Sequence, residues 1–237
     1  MLILGIETAT QKVSVAIGGH EGVLAQFEVS RGRRHAETLT PAIEFVCRQA
    51  DVAIDEFGAI AVDIGPGLFT GMRVGLAAAK AMAQALRVPM IGISSLDLLA
   101  FPLRHADRTV AAVIDARKGE LFYAFYRPVP GGLQRVSDPC VAGPDDLVAD
   151  LMARGQNTVC VGDGALRYRD EIAANVHCDF AEQYLSQPSA APLVQLAHAQ
   201  ALREEWSNPW EIQPLYLRAP DAQINWSTRA DGSTVAE

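Results

Sequence analysis

Short apolar runs and helically spaced apolar residues succeed one another along the first hundred residues. Two apolar runs joined by a polar turn come first, and a stretch of alternating apolar and polar residues follows, as in a strand with one face toward solvent. Helical spacing begins near His35, where Pro41 either lies in the first turn, capped by Thr40, or bends the helix. The pattern predicts strands over 2–6, 13–17, 23–29, 58–64 and in VPMIGIS, and helices over about 35–50, 71–86 and 96–102.

The same order of elements restarts in the second half of the chain. TVAAVIDARKGELFYAFY, which begins at Thr109, matches LILGIETATQKVSVAI, which begins at Leu2. Each has a strand, an acidic residue, a tight turn and a second strand, with Asp115 in the place of Glu7. A helix opening with Pro144 follows, and TVCVGDGALRYRDEI repeats strand, glycine loop and helix in shorter form.

This repeat predicts an α/β chain with a duplicated fold of the actin-like (ASKHA, ribonuclease H-like) type, in which the second of two subdomains is reduced. The first subdomain is expected over residues 1–105, completed by a helix near 191–206, and the second over residues 106–190. PLYLR, residues 214–218, is expected to be an anchored segment, and residues 219–237 a mobile tail because they are polar without periodicity.

Composition and charge narrow the functional classes. The chain of 237 residues is 49% hydrophobic and 20% charged, as in ordinary globular proteins. Its net charge of -8 disfavours direct binding to nucleic acid, so the basic residues Arg31, Arg33 and Arg34 are interpreted as a solvated loop or a small contact site. MLILGIETA lacks a basic signal-peptide start and no apolar run is long enough for a membrane helix, which predicts a cytoplasmic protein without membrane contact. The four cysteines form no C-x-x-C pair and are expected to be free thiols.

The two acidic turns suggest a kinase-like cleft. In this fold the turns would face each other, so a nucleotide cleft, active or vestigial, would contain Glu7, Thr8 and Asp115. An ATP-dependent phosphotransferase is therefore one hypothesis. Against it, ETATQKVS lacks a glycine for phosphate approach, and GPGLFTG is not a phosphate-loop motif. We expect no catalytic residue and no cofactor, with weak nucleotide contact left open at the start of the long helix.

The sequence gives little support for a metal site or for a protease active site. A metal pair on a helix needs a second ligand four residues after His35, but that residue is Leu39. His35 is therefore interpreted as a hydrogen-bonded or interfacial residue, and no metal site is predicted. No Ser, His and Asp stand in a recognisable triad motif.

Small residues recur every four positions along the long helix. Each glycine inside a helix costs about 1 kcal/mol relative to alanine, which is reasonable where another backbone comes close. Two interpretations stay open: the stripe packs on the chain's own sheet, or it meets another helix. Since residues 71–86 are apolar on nearly every side, at least one further face is expected to meet a helix of this chain or of a partner. The stripe contains Gly71, Gly75, Ala79 and Ala83.

Six motifs in order resemble the TsaB (YeaZ) family, over Met1 to about Arg218. They are GIETAT…SVAI, SRGRRHAETLTPAIE, VDIGPGLFTGMRVGLAAAKAMA, GISSLDLLA, VIDARKGELFYAFY and PLYLR. The resemblance implies an actin-like fold and a non-catalytic role in forming threonylcarbamoyladenosine next to the tRNA anticodon. It implies binding to the catalytic, metal-carrying TsaD, joined by the ATPase TsaE, with tRNA reached only indirectly. The His-x-x-x-His motif of TsaD is reduced here to His35 with Leu39.

The resemblance also places the partner interface on the first two helices, and implies that the same face forms a homodimer when the protein is alone. The residues expected there by motif position are His35, Leu39, Ile43, Phe69, Met72, Arg73, Gly75, Leu76, Ala79, Lys80 and Ala83.

Overall fold

The computed structural model describes residues 1–30, 32 and 34–218. Arg31 and Arg33 of the basic loop, and the predicted tail over 219–237, lie outside the described residues. The described chain forms two mixed sheets with helices on both faces of each. No helix in this part of the chain is long and apolar enough to cross a membrane.

The first sheet has five strands in the order β3-β2-β1-β4-β5. β1, β2 and β3 pair antiparallel, whereas β4 and β5 add parallel to β1. The strands are β1 (Leu2–Glu7), β2 (Val13–Gly19), β3 (Gly22–Val29), β4 (Phe57–Gly65) and β5 (Met90–Ser94).

The second sheet repeats this plan with the order β11-β10-β6-β7-β8, and β9 pairs with β7. Three antiparallel strands are again followed by two parallel additions, which confirms the predicted duplication. β11 has two residues where β5 has five, so the second copy is the reduced one. The strands are β6 (Thr109–Arg117), β7 (Glu120–Val129), β8 (Gly132–Arg135), β9 (Cys140–Ala142), β10 (Thr158–Val161) and β11 (Asp179–Phe180).

Seven helices cover the two sheets within the described residues. On the first sheet, α1 and α2 pack on the face that contains Leu4 and Ile6, and α7 covers the face that contains Ile3. On the second sheet, α3 covers one face and α4, α5 and α6 the other. The helices are α1 (His35–Ala50), α2 (Phe69–Leu86), α3 (Ser95–Ala100), α4 (Pro144–Arg154), α5 (Asp163–Arg167), α6 (Arg169–Asn175) and α7 (Ala190–Ala201).

Two helices differ from the sequence-based expectation. Pro41 lies inside α1, not in its first turn, and its exposed position lets the helix continue around the missing N–H. The helix predicted near 191–206 ends at Ala201, and the chain then turns so that Ser207 pairs with Met90 at the edge of β5.

The last described residues run from the first sheet to the second. The Leu215 N–H donates a 2.7 Å hydrogen bond to Ile64 O, at the end of β4. Arg218 Nη1 then donates to Ala116 O at 3.1 Å and to the Glu120 carboxylate at 2.8 Å, both in the second sheet. This segment therefore connects the two halves of the fold beside the start of α2.

Candidate functional site

The turn after β1 packs directly against the start of α2, and two glycines allow this contact. Thr8 Oγ1 donates a 2.8 Å hydrogen bond to Gly71 O. A Cβ on Gly71 would collide with Thr8 O, and a Cβ on Gly75 would collide with Thr8 Oγ1. Glycine is needed at both positions because the turn approaches the helix backbone. Of the two interpretations of the small-residue stripe, packing within the chain is the one observed for Gly71 and Gly75.

His35 belongs to the same buried region. Its Nε2 lies 2.7 Å from Thr10 O, so the ring is hydrogen-bonded to the turn after β1. Leu39, one helical turn later, is packed in the core below the helix. Among the described residues no group of three or more His, Cys, Asp or Glu side chains is placed to hold a metal ion.

Glu7 and Asp63 are neighbouring buried carboxyl groups at the ends of β1 and β4. The two strands are parallel with Ile6 beside Val62, so the next residue of each strand lies alongside the other. Glu7 Oε1 accepts the Ala9 N–H at 2.8 Å, and Asp63 Oδ1 accepts the Gly65 N–H at 2.7 Å. The second oxygen of each carboxyl group is buried without a hydrogen-bond partner in the described structure.

Burial shifts the protonation of this pair. Loss of solvation raises the pKa of Asp63 to about 7, although hydrogen bonds from Ser95 and from the Gly65 N–H act in the opposite direction. Loss of solvation also raises the pKa of Glu7 well above its usual range; Asp63 adds to the rise and Lys12 opposes it. The two groups titrate as a pair that resists holding two negative charges. Magnesium prefers ionised carboxylates, so this pair is a poor cation site.

Asp115 is fully engaged by neighbouring basic groups. Its Oδ1 accepts the Arg117 N–H at 2.9 Å, and its Oδ2 accepts hydrogen bonds of 2.8 Å from the guanidinium groups of Arg117 and Arg167. The Asp115 N–H in turn donates to Asp163 Oδ1 at 2.9 Å. Because two cations already neutralise this carboxylate, it has little capacity left for a magnesium ion.

The cleft between the two acidic turns is almost closed. Its cavity is about 10 Å³, enough for roughly one water molecule. Glu7 and Thr8 differ from the expectation that they share this cleft with Asp115: both are buried in the first half, with their side chains bonded to the Ala9 N–H and Gly71 O. The cleft is lined by Ala9, Thr10, Gln11, Gly67, Leu68, Ile114, Asp115, Arg117 and Asp163.

Most residues expected at the partner interface are covered by the chain's own core. Phe69 and Arg73 are exposed and Lys80 is half-buried. Ala79 is 0% exposed, because this side of α2 faces the first sheet. The expected residue set is therefore corrected, while the location of an interface on these helices stays a prediction. The residues buried within the chain are His35, Leu39, Ile43, Met72, Gly75, Leu76, Ala79 and Ala83.

The opposite side of α2 presents small and apolar residues at helical spacing. We call this set the outer α2 face. Ala77, Ala81 and Ala85, on successive turns, are exposed, whereas Val74, Ala78 and Met82 are half-buried and also pack against the core of the first half. The face comprises Val74, Ala77, Ala78, Ala81, Met82 and Ala85.

Three fixed side chains stand beside the first turn of α2, and we call them the Arg73 cluster. The Arg73 guanidinium lies 3.7 Å from the centroid of the Phe69 ring, and its Nε–H donates to the Tyr216 hydroxyl at 3.0 Å. The rings of Phe69 and Tyr216 are 5.4 Å apart. Although exposed, these side chains are held by one another, and Tyr216 follows the backbone bond that anchors Leu215 to β4.

Comparison with known proteins gives concordant results. A family model described as "TsaD: tRNA N6-adenosine threonylcarbamoyltransferase" matches residues 22–226. The chain is 25% identical over 230 residues to the tRNA threonylcarbamoyladenosine biosynthesis protein TsaB of Bacillus subtilis, covering 95% of this chain and 98% of that one. The solved structure of YeaZ from Pseudomonas aeruginosa superposes with a TM-score of 0.79 at 27% identity, over 91% of this chain and 100% of the other. The chain belongs to the TsaB (YeaZ) family.

A further TsaB relative is similar over a shorter stretch. The Escherichia coli protein is 35% identical over 135 residues, which are 56% of this chain and 58% of the relative. These matches confirm the resemblance inferred from the six motifs, and the fold confirms the actin-like α/β class. The family takes part in the biosynthesis of tRNA threonylcarbamoyladenosine.

Sequence reasoning missed several residues of this region in the TsaB-family chain. Asp63 stands in the motif VDIGPG, but only the pairing of β1 with β4 shows that it lies beside Glu7. Arg167 reaches Asp115 across 52 positions, and Tyr216 reaches Arg73 across 143. The sequence signal for Asp63 was an acidic residue before a glycine loop, and the signal for Tyr216 was an aromatic residue within PLYLR.

Proposed function

We propose that this chain is a non-catalytic subunit required to form threonylcarbamoyladenosine next to the tRNA anticodon. In this proposal it binds and activates the catalytic TsaD subunit, the ATPase TsaE joins the two, and tRNA is reached only through the complex. The single observation that carries the proposal is the outer α2 face, whose Ala77, Ala81 and Ala85 expose uncharged small side chains on successive turns of the helix.

A helix that lies on a protein surface normally presents charged residues to water. α4 does so, because its exposed positions include Asp145, Asp146 and Asp150. α2 is different, since its only charged residues over 18 positions are Arg73 and Lys80. The small side chains of the outer α2 face would allow a partner helix to approach closely. This supports an interface with TsaD built around α2 and the neighbouring α1, and the same surface would form the homodimer.

The Arg73 cluster lies at the edge of this face and has the composition of an interface anchor. Arginine and tyrosine are enriched among residues that contribute most to binding. Because Phe69 and Tyr216 already hold the Arg73 guanidinium, little side-chain freedom remains to be lost on association. In the proposed complex these side chains flank the outer α2 face and bind the partner as a preformed group.

The chemistry of the cleft and of the separate buried carboxyl pair supports a non-catalytic role and no bound metal or cofactor beyond weak nucleotide contact. Asp115 is neutralised by Arg117 and Arg167, and the Glu7 and Asp63 pair favours a protonated form. An ATP-dependent phosphotransferase would need ionised carboxylates open to magnesium in this position. Magnesium-dependent ATP turnover by the purified chain, without any partner, would contradict the proposal and favour the phosphotransferase.

The test is a charge placed on the outer α2 face. Ala81→Lys introduces a long cation at an exposed position, so the folded monomer should be unaffected. Burying that cation at an interface should weaken TsaD binding by about 100-fold, which corresponds to about 2.7 kcal/mol. Binding is measured by titration calorimetry, and tRNA modification is assayed with the complete protein set and with each protein omitted in turn.

Ala149→Lys is the matched control, because Ala149 is an exposed alanine in the interior of α4, far along the chain in the second half. It should retain wild-type TsaD binding. If a well-folded Ala81→Lys protein bound TsaD with wild-type affinity, the outer α2 face would not be the interface.

A further inference from the structure

Two of the four cysteines meet at the edge of the second sheet. Cys160 is fully buried in β10, and Cys178 is half-buried one residue before β11. Their sulfur atoms are 3.9 Å apart, with the Cys160 thiol donating a hydrogen bond to the Cys178 sulfur. We propose that Cys160 and Cys178 form a redox-active pair that a hydroperoxide converts reversibly into a disulfide.

The hydrogen bond assigns different roles to the two sulfurs. It lowers the pKa of Cys178, because the donated proton stabilises the thiolate; burial and Asp179 oppose this effect. The same bond, followed by burial, raises the pKa of Cys160. Since the thiolate is the nucleophile, Cys178 is the sulfur that attacks the peroxide and Cys160 is the one that resolves the product.

The remaining two cysteines lack this arrangement. Burial raises the pKa of Cys47, and it is also the largest cause of the raised pKa of Cys140. The Cys140 thiol donates a hydrogen bond to Tyr123 O and not to another sulfur. The contact between two sulfur atoms therefore distinguishes the Cys160 and Cys178 pair, and Cys47 and Cys140 serve as internal controls.

The oxidation proceeds in two balanced steps. The Cys178 thiolate attacks one peroxide oxygen, the O–O bond breaks, and the departing oxyanion takes a proton, which leaves Cys178 as a sulfenic acid. The Cys160 sulfur then attacks the Cys178 sulfur, the S–S bond forms, the S–O bond breaks, and the hydroxide leaves with the Cys160 proton as water. Two electrons pass from the thiols to the peroxide, and a thiol reductant reverses the change by exchange.

The local fold can accommodate the bond. A disulfide requires the sulfurs to approach by about 2 Å from their present separation of 3.9 Å. Cys178 lies between the end of α6 and the two-residue strand β11, where few ladder bonds resist a shift. The bond would enclose α5, whose Arg167 contacts Asp115 at the cleft, and would restrict the unfolded chain.

The experiment exposes the reduced full-length chain to hydrogen peroxide and maps the cysteines by mass spectrometry without reduction. We expect the titratable thiols to fall from four to two, a mass loss of about 2 Da, and a peptide that joins Cys160 to Cys178. A thiol reductant should restore all four thiols. If only Cys47 or Cys140 were oxidised and Cys178 remained a thiol, the proposal would be overturned.

Variants separate the two roles. Cys178→Ser should abolish the peroxide-dependent cross-link, whereas Cys140→Ser, also half-buried in the second half, should leave it intact. Cys160→Ser keeps a hydroxyl donor beside the Cys178 sulfur but cannot form a disulfide, so the Cys178 sulfenic acid should accumulate and react with dimedone. Circular dichroism establishes that each variant is folded. In the wild-type chain, iodoacetamide should modify Cys178 faster than Cys140 at neutral pH; equal rates would contradict the assignment of the nucleophile.

Discussion

The buried carboxyl pair predicts an unusual response of stability to pH, which Asp63→Asn tests. Asp63 is 2% exposed, and its Oδ1 accepts hydrogen bonds from the Gly65 N–H and the Ser95 hydroxyl. An asparagine keeps that acceptor and replaces the unpartnered Oδ2 by an uncharged NH₂ group of similar size. The variant therefore removes a buried charge without removing its established contacts.

The magnitude follows from the pKa of Asp63. It rises from 3.8 to about 7 on folding, so the native state holds this proton more tightly than the unfolded chain. The contribution to the free energy of unfolding is present in full below about pH 4 and is lost as pH rises through about 7. At about 1.4 kcal/mol per pKa unit, the loss by pH 8 is about 4 kcal/mol. Asp63→Asn does not ionise, so it should be more stable than the wild type at pH 8 by up to about 4 kcal/mol.

Urea unfolding followed by circular dichroism at pH 5 and pH 8 measures this effect. The quantity of interest is the stability difference between variant and wild type at each pH, because other titrating groups then cancel. Asp138→Asn, at an exposed position, is the control and should show the same small difference at both pH values. If the stability of Asp63→Asn relative to the wild type did not increase between pH 5 and pH 8, the carboxyl pair would not be protonated as we infer.

Three further substitutions test the packing of α2 and the cleft. Gly71→Ala should lower the melting temperature because its Cβ would meet Thr8 O. Gly132→Ala is the control and should leave the melting temperature nearly unchanged, since a Cβ there meets nothing within 4 Å. Equal melting temperatures of the two variants would contradict the close approach of the turn to α2. Ala79→Glu should unfold the protein, as judged by circular dichroism, since it buries an unpaired carboxylate in the core, and a fully folded variant would refute that placement. Asp115→Asn should leave tRNA modification by the complete protein set nearly unchanged if the cleft is vestigial, and a collapse of modification in a folded, TsaD-binding variant would reveal an active site.

Much of the fold could be predicted because local periodicity reports it. The bounds of α1 agree with the predicted helix, and the apolar runs of β1 and β2 are visible in the sequence. β9 was not predicted, since three residues are too few to show a period. The single helix read in GDGALRYRDEI is divided at Tyr168 into α5 and α6, a break that no glycine or proline marks.

The candidate site was harder to predict, because periodicity groups residues on one side of a helix without telling what covers that side. The stripe containing Gly71 and Gly75 was correctly recognised as a close contact, but its partner, Thr8, lies 63 positions from Gly71. The exposed outer α2 face lies on the other side of the same helix. Only the register of β1 against β4 and the position of the first turn distinguish the two sides.

The placement of α7 has a consequence for the order in which the protein forms during synthesis. α7 covers the Ile3 face of the first sheet, and its Ala190 N–H bonds to Ser14 Oγ across 176 positions. On the ribosome that apolar face stays uncovered until the chain has been made as far as Ala201, whereas the last strand of the second sheet ends at Phe180. The half that is translated first is therefore completed last, and it is this half whose unfinished surface is open to chaperones or to aggregation in the nascent chain.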